Sequence, residues 1–127
     1  MPAPGGRASG PEVRFDELAF AEDMSHASAA GRRVALDARQ RLESAGVQVE
    51  DLLRCQEHGR DGTRLERCVK LYLPSAGGVW RMVYEITRDL SNGELALSYL
   101  AFGLGHPSKP WQPSAYQVAH RRLHPDE

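Results

Sequence analysis

The chain has 127 residues, of which 41% are hydrophobic and 26% charged, proportions that are ordinary for a single domain with one core. Its formal charge of −1 excludes attraction of nucleic acid by a strong overall positive field. The charge is unevenly distributed, since residues 1–57 carry −3, whereas residues 58–127 carry +2 and four of the five histidines. A binding site for a polyanion is therefore expected in the second part of the chain.

The two cysteines, Cys55 and Cys68, are too few for a disulfide framework, and no apolar run is long enough to cross a membrane. A cytoplasmic protein without membrane contact is therefore expected. Cys55, His58 and Cys68 are compatible with zinc, but a fourth ligand at motif spacing is missing. Two buried thiols and no metal are the expectation, and the absence of nucleotide-binding or metalloprotease motifs predicts no cofactor.

The N-terminal residues 1–11 are rich in proline and glycine and have little to bury, which predicts a disordered tail before a single domain over residues 12–124. A short first strand is predicted over Glu12–Phe15, with Val13 and Phe15 on one face.

Two helices are predicted next. The first spans Asp16–Met24 with Asp16 as its N-cap, and the second runs from about Ala29 to Ala45 and ends at Gly46. The residues expected on their packed sides are Leu18, Phe20 or Ala21, Met24, Val34, Ala38, Leu42 and Ala45. The arginines of the second helix are expected to lie mostly elsewhere, in solvent or against an acidic partner or RNA phosphates; they are Arg32, Arg33, Arg39 and Arg41.

The segment Val47–Gln56 is ambiguous between extended and helical structure, and Glu57–Thr63 is predicted as a loop because of its glycines. The clearest pattern follows from Cys68 to Ile86, where apolar and polar residues alternate on both sides of the predicted turn at Gly77-Gly78, as in a β-hairpin. A third strand, Glu94–Gly103, follows a tight turn at Asn92-Gly93. The predicted apolar face of the hairpin consists of Val69, Leu71, Leu73, Trp80, Met82, Tyr84 and Ile86. The opposite face carries Lys70, Tyr72, Val79, Arg81, Val83 and Glu85.

A loop, Leu104–Pro113, and a short helix, Ser114–Leu123, complete the predicted domain. Three prolines lower the entropy that the loop loses on ordering, and His106 and Trp111 give it more chemistry than a connection requires. We therefore expect this loop at the mouth of any functional surface.

The order of these parts resembles the RelE/ParE superfamily of bacterial toxins. The resemblance rests on a strand with Lys70, a strand reading Trp80-Arg-Met-Val-Tyr84, an apolar strand ending at Phe102-Gly103, a loop with His106, and the helical pattern Ala115-Tyr-x-x-Ala-x-x-Arg-Leu123. It implies an α+β fold of order β-α-α-β-β-β, in which two N-terminal helices pack on a small antiparallel sheet and a short helix ends the chain. It also implies a cognate antitoxin protein as partner, and it leaves a homodimer open.

The resemblance further implies metal-independent cleavage of mRNA, free or on the ribosome, in which the ribose 2′-hydroxyl attacks its own phosphate. This reaction needs a base, an acid and cations for the charge on the phosphate. By position, the candidate catalytic residues are Lys70, Arg81, His106 and Tyr116. The candidate RNA-binding residues are Trp111, Lys109, Arg121 and Arg122. Structural alternatives are that Lys70 and Arg81 are exposed strand residues and that Tyr116 packs onto the sheet.

Two other hypotheses belong to different functional classes. One is a ParE-like protein that binds a protein target such as gyrase and has no active site, and the other is an adaptor that kept only the fold. Three departures from the family pattern weaken the transfer of its activity: Tyr72 at a position that is basic in the family, the long proline-rich loop and the absence of a net positive charge. Separation of the candidate catalytic side chains would favour the two other hypotheses. Clustering of the four candidate catalytic side chains in one concavity would favour the nuclease.

Overall fold

The structure is a computed structural model, and it describes residues 11–75, 78–89 and 95–126. Its elements are β1 (Glu12–Arg14), α1 (Glu17–His26), α2 (Ala29–Ala45), a short 3₁₀ turn (Val49–Asp51), β2 (Leu53–Arg54), β3 (Cys68–Ser75), β4 (Gly78–Asp89), β5 (Leu95–Leu104) and α3 (Ala115–Leu123). The predicted tail, apart from the buried Pro11, lies outside the described residues, as do Gly77 of the first predicted turn and the turn at Asn92-Gly93.

The strands form one five-stranded sheet in the order β1-β5-β4-β3-β2. Strand β1 is parallel to β5, and the other pairs are antiparallel, so the predicted α+β fold with the first strand at an edge is confirmed. The additional strand is β2, whose two residues pair with β3 inside the segment that the sequence left ambiguous. Two residues are too few to show an alternation, and only the pairing with β3 makes them a strand.

Helices α1 and α2 cover one face of the sheet. The predicted start of α1 and both ends of α2 are confirmed, whereas α1 continues beyond the predicted Met24 to His26. Asp16 accepts a hydrogen bond from the amide of Ala19, and Gly46 adopts a φ of 75° directly after α2. The prediction that Leu18 belongs to the packed side of α1 is wrong, because its side chain is exposed. Leu18 stands about 200° around the helix from the buried Phe20, so the two cannot face the sheet together.

The packed side of α2 is formed by small residues, because this helix lies very close to the sheet. Gly31, Ala35 and Ala38 are buried, whereas Ala45, at the end of the helix, is exposed and was wrongly expected to pack. A Cβ atom on Gly31 would lie 2.5 Å from the Trp80 ring. The close approach of α2 therefore depends on a glycine at this point.

Two arginines of α2 serve structural roles rather than pointing freely into solvent. Arg39 forms ion pairs with Glu17 and Glu43, and its guanidinium carbon lies 4.5 Å from the centroid of the Phe15 ring. Arg32 donates to backbone carbonyls at the end of α1, including that of Ala27 at 2.9 Å. Through these contacts the two arginines of α2 hold α1 and α2 together.

The second face of the sheet is covered by α3, as the packing alternative for Tyr116 anticipated. A second apolar cluster forms there, and its buried members are Cys55, Leu65, Cys68, Val83, Leu100, Ala101, Ala115 and Ala119. The pairing of β4 with β5 shifts by one residue at Leu100, which places Leu100 and Ala101 together in this cluster. No helix in the described part of the chain is long and apolar enough to span a membrane.

Candidate functional site

A cavity of about 650 Å³ opens between β3, the N-terminus of α3 and two loops, one within residues 56–65 and the other within residues 105–112. Its volume lies in the range of pockets for ligands of nucleotide size. Among the described residues that line it, the lysines and arginines are Arg60, Lys70 and Lys109, whereas Asp61 is the one carboxylate. The cavity is thus locally positive, although the whole chain is not.

Three of the four candidate catalytic residues, Lys70, His106 and Tyr116, line this cavity, and the fourth, Arg81, is bonded to Tyr116 from behind. The phenol oxygen of Tyr116 accepts a hydrogen bond from Nζ of Lys70 at 3.2 Å and another from Nε of Arg81 at 2.9 Å. Tyr116 is held in place because the first turn of α3 is fixed by a reciprocal capping box between Ser114 and Gln117. A hydroxyl has two acceptor positions, so with both occupied its own proton must be directed to a different partner.

Arg81 is not an exposed strand residue, since only 7% of its surface is accessible. Its guanidinium carbon lies 3.8 Å from the centroid of the Tyr72 ring, and a Cβ atom on Gly105 would approach the same carbon to 2.9 Å. Among the ion pairs formed by residues 11–75, 78–89 and 95–126, none includes Arg81 or Lys70. Within the described residues the positive charge of Arg81 is met by the Tyr116 hydroxyl, the Trp80 carbonyl and the face of the Tyr72 ring.

Residues of the predicted loop 104–113 contribute to the lining of the cavity. His106 is exposed and lines the cavity together with Lys109. Trp111 is 75% exposed, and its ring lies 5.4 Å from Nζ of Lys109. His106 thus lines the same cavity as Lys70 and Tyr116, whereas Trp111, on the same loop, does not line it.

The two arginines of α3 have different surroundings. Arg121 is exposed and does not line the cavity. Arg122 is directed towards α1, where its guanidinium donates to Asp23 and Glu22 and to the carbonyl of Leu100. Because its donors are used inside the fold, Arg122 is not retained among the RNA-binding residues.

One wall of the cavity consists of residues that the sequence analysis did not assign to the site. In this wall Asp61 accepts hydrogen bonds from both the amide and the hydroxyl of Thr63, at 3.2 and 2.8 Å. The amide of Arg64 donates to Nδ1 of His120 at 2.9 Å, so α3 supports the wall. The glycines at 59 and 62 indicated a loop, but only contacts with the distant α3 show that it faces Lys70.

The two cysteines lie buried beneath this site. Burial raises the pKa of the Cys55 thiol to about 11 and that of the Cys68 thiol to about 12. The described residues contain no group of three or more histidine, cysteine or acidic side chains placed to hold a metal ion.

We expect both thiols to react slowly with a thiol reagent such as dithionitrobenzoate in the folded protein. At pH 8 a thiol with a pKa of about 11 is ionised in about one molecule in a thousand, and the thiolate is the reactive form. The measurement is the reaction rate at pH 8 with and without urea, with the unfolded chain as the control. Fast reaction of both thiols in the folded state would contradict this expectation.

No protein-family model matches the chain, and a search of curated proteins found no match. Among solved structures, a mutant of the toxin RelE of E. coli in the free state is similar to this chain, with 15% sequence identity and a TM-score of 0.48. The similarity covers 93% of this chain and 99% of that chain.

Proposed function

We propose that this chain is a metal-independent endoribonuclease toxin of a type II toxin–antitoxin system. The observation that carries the proposal is the meeting of Lys70 and Arg81, two cations without a carboxylate partner among the described residues, at the hydroxyl of Tyr116 in a positive cavity. A phosphate group in the cavity would meet the ammonium group of Lys70 directly. The convergence of these side chains also favours the nuclease over a toxin-fold protein that acts only by binding a protein target.

In the proposed reaction the 2′-oxygen of a ribose attacks the adjacent phosphorus, and the bond from phosphorus to the 5′-oxygen breaks. The proton of the 2′-hydroxyl passes to a base, an acid protonates the departing 5′-oxygen, and the products are a 2′,3′-cyclic phosphate and a 5′-hydroxyl. Lys70 contacts the phosphate oxygens, and Tyr116 donates its free proton to them. His106 exchanges protons at the mouth of the cavity.

Arg81 has a different role in this scheme from that of a surface phosphate contact. It is buried behind Tyr116 and does not line the cavity, so it acts through the tyrosine hydroxyl and through its fixed positive charge. A fixed charge in a site shielded from water stabilises a developing negative charge more strongly than the same charge in solvent.

The RNA strand on either side of the cleaved bond is proposed to lie along the rim. Trp111 offers an exposed ring for base stacking, and Lys109 and Arg121 attract phosphates without fixing them. The proposed partners are mRNA, free or on the ribosome, and a cognate antitoxin in a bacterial cytoplasm, as the family resemblance implies.

The proposal is tested by incubating the protein with free RNA and with ribosome-bound mRNA in the presence of a chelator. We expect cleavage that leaves a 2′,3′-cyclic phosphate, and no cleavage at a nucleotide that carries 2′-deoxyribose. If neither substrate is cleaved, the protein-binding alternative is preferred. Expression of the chain with and without its neighbouring gene then shows whether it is toxic by another route.

Lys109→Ala should change the salt dependence of cleavage more than its rate at low salt. Lys109 stands on an exposed loop, so its contribution is a diffuse attraction that counterions screen. Losing one phosphate contact is expected to reduce the slope of log K against log salt by roughly 0.7 for a single strand. The measurement is the cleavage rate across a salt series, with Lys70→Gln as the matched variant inside the cavity. A large loss of rate for Lys109→Ala at low salt would place Lys109 in the chemistry instead.

A further inference from the structure

Tyr72 is an exposed aromatic residue on β3 that lines the cavity but was not among the predicted site residues. The Tyr72 side chain is 46% exposed, whereas aromatic rings on a sheet are more often buried. We propose that Tyr72 is a base-stacking residue, which receives one base of single-stranded RNA beside the phosphate bound at Lys70. The inference rests on the proposed function for the nature of the substrate.

The Tyr72 ring is already held in position before any ligand binds. The guanidinium carbon of Arg81, the cross-strand neighbour of Tyr72, lies 3.8 Å from the ring centroid. Because Arg81 is buried and confined by Gly105, it fixes the plane of the ring in the way that a stacked cation does. A fixed ring loses little further entropy when a base stacks on its other side.

The position of Lys70 connects this ring to the phosphate site. Its Nζ atom lies 5.4 Å from the Tyr72 centroid and 4.9 Å from the Tyr116 centroid, so the ammonium group stands near both rings. A nucleotide carries its base within a few ångströms of its phosphate. A phosphate bound at Lys70 therefore brings a neighbouring base within reach of the Tyr72 ring, and stacking accepts any base because each has an aromatic face.

A simpler role for Tyr72 is to shield Arg81 from water. The two roles differ in their consequences, since a shield does not respond to the removal of a base from the RNA. Val79 provides a control residue, because it is also an exposed apolar side chain on the same face of the sheet but does not line the cavity.

The test measures binding of a single-stranded RNA that carries 2′-deoxyribose at the cleavage site, by fluorescence anisotropy at one fixed salt concentration. Tyr72→Leu should weaken binding roughly 5- to 150-fold, as expected for loss of one stacked base. Tyr72→Phe, which keeps the ring, and Val79→Ala should bind like the wild type. Thermal unfolding of each variant checks that the fold is retained.

The same RNA with a single abasic position, moved along the strand, identifies the stacked base. At one position the wild type should lose affinity by a similar factor, and Tyr72→Leu should lose nothing further there. The inference is overturned if Tyr72→Leu binds the intact RNA as tightly as the wild type. It is also overturned if, at every abasic position, the loss caused by the missing base multiplies with the loss caused by Tyr72→Leu. The wild type alone can also overturn the inference, whether or not Tyr72→Leu folds. It does so if it does not bind the RNA or if it loses no affinity at any abasic position. If the binding results are as expected but RNA with ribose at every position is not cleaved, Tyr72 remains a stacking residue and the nuclease proposal is refuted.

Discussion

Tyr116→Phe should lower the rate of RNA cleavage by roughly a hundredfold to a thousandfold, the usual effect of removing one preorganised donor from a reacting site. The substitution removes the hydroxyl on which Lys70 and Arg81 converge and leaves the ring in its packing against the second apolar cluster. The fold should therefore be retained. The measurement is the single-turnover cleavage rate in chelator, at matched folding stability.

Tyr84→Phe is the matched control for this substitution. The Tyr84 hydroxyl is buried and has no hydrogen-bond partner within the described part of the chain, and its ring belongs to the core on the opposite face of the sheet. Removing an unpaired buried hydroxyl should leave cleavage unchanged and be neutral or slightly stabilising. If Tyr116→Phe cleaves as fast as Tyr84→Phe, the tyrosine hydroxyl has no chemical role and the cations act without it.

Asp23→Ala should lower the free energy of unfolding by about 3–5 kcal/mol, because it removes the buried carboxylate that pairs with the partly buried Arg122 guanidinium. Asp23 is 6% exposed, and its carboxylate accepts from the Tyr99 hydroxyl at 2.6 Å and from the Phe102 amide at 3.0 Å. Arg122 donates to both carboxylate oxygens, at 2.8 and 2.9 Å. Burial and the neighbouring Asp23 carboxylate raise the pKa of Tyr99, so the phenol remains a donor in this cluster.

The cluster closes an edge of the sheet that β1 leaves open. Strand β1 pairs with β5 only as far as Ser98, and beyond it Asp23 binds the amide of Phe102 while Arg122 binds the carbonyl of Leu100 at 2.7 Å. Burying unpaired backbone groups at this position would destabilise the folded state. Asp23 and Arg122 therefore replace the missing strand as hydrogen-bond partners.

Urea denaturation measures this effect, with Glu22→Gln as the control. Glu22 contacts the same guanidinium but is exposed, so its substitution should cost much less than that of Asp23. A loss for Asp23→Ala that is no larger than the loss for Glu22→Gln would show that the cluster contributes little to stability. A double-mutant cycle with Arg122→Met should be strongly non-additive, because both residues belong to one network.

Much of the fold could be predicted because its signals are local. The alternation in β3 and β4 placed Val69, Leu71 and Leu73 on the buried face, and the structure confirms this face. The N-cap at Asp16 and the glycine after α2 are likewise short-range features. The same alternation placed Lys70 and Arg81 on one surface, because residues on adjacent strands with matching parity share a face.

Burial of polar residues could not be predicted in this way. Asp23 was not expected to be buried, and Arg122 was expected to bind RNA, because each looks like an ordinary surface charge until the other is present. The two residues are 99 positions apart in the chain, and neither helix shows the contact in its own pattern. Charges are tolerated inside a protein only when they are paired, so their location depends on the partner rather than on local periodicity.

The sequence by itself determined the helices, the strands other than β2 and the face on which Lys70 and Arg81 lie, since these follow from repeats of two and 3.6 residues. Only the tertiary structure decided that Arg81 is buried behind Tyr116, that residues 56–65 form a wall of the cavity, and that the Tyr72 ring lies close to the ammonium group of Lys70. Each of these facts arises where segments far apart in the chain meet. The contact between Lys70 and Tyr116 spans 46 positions, and no local pattern encodes which distant side chain will occupy the space above a strand.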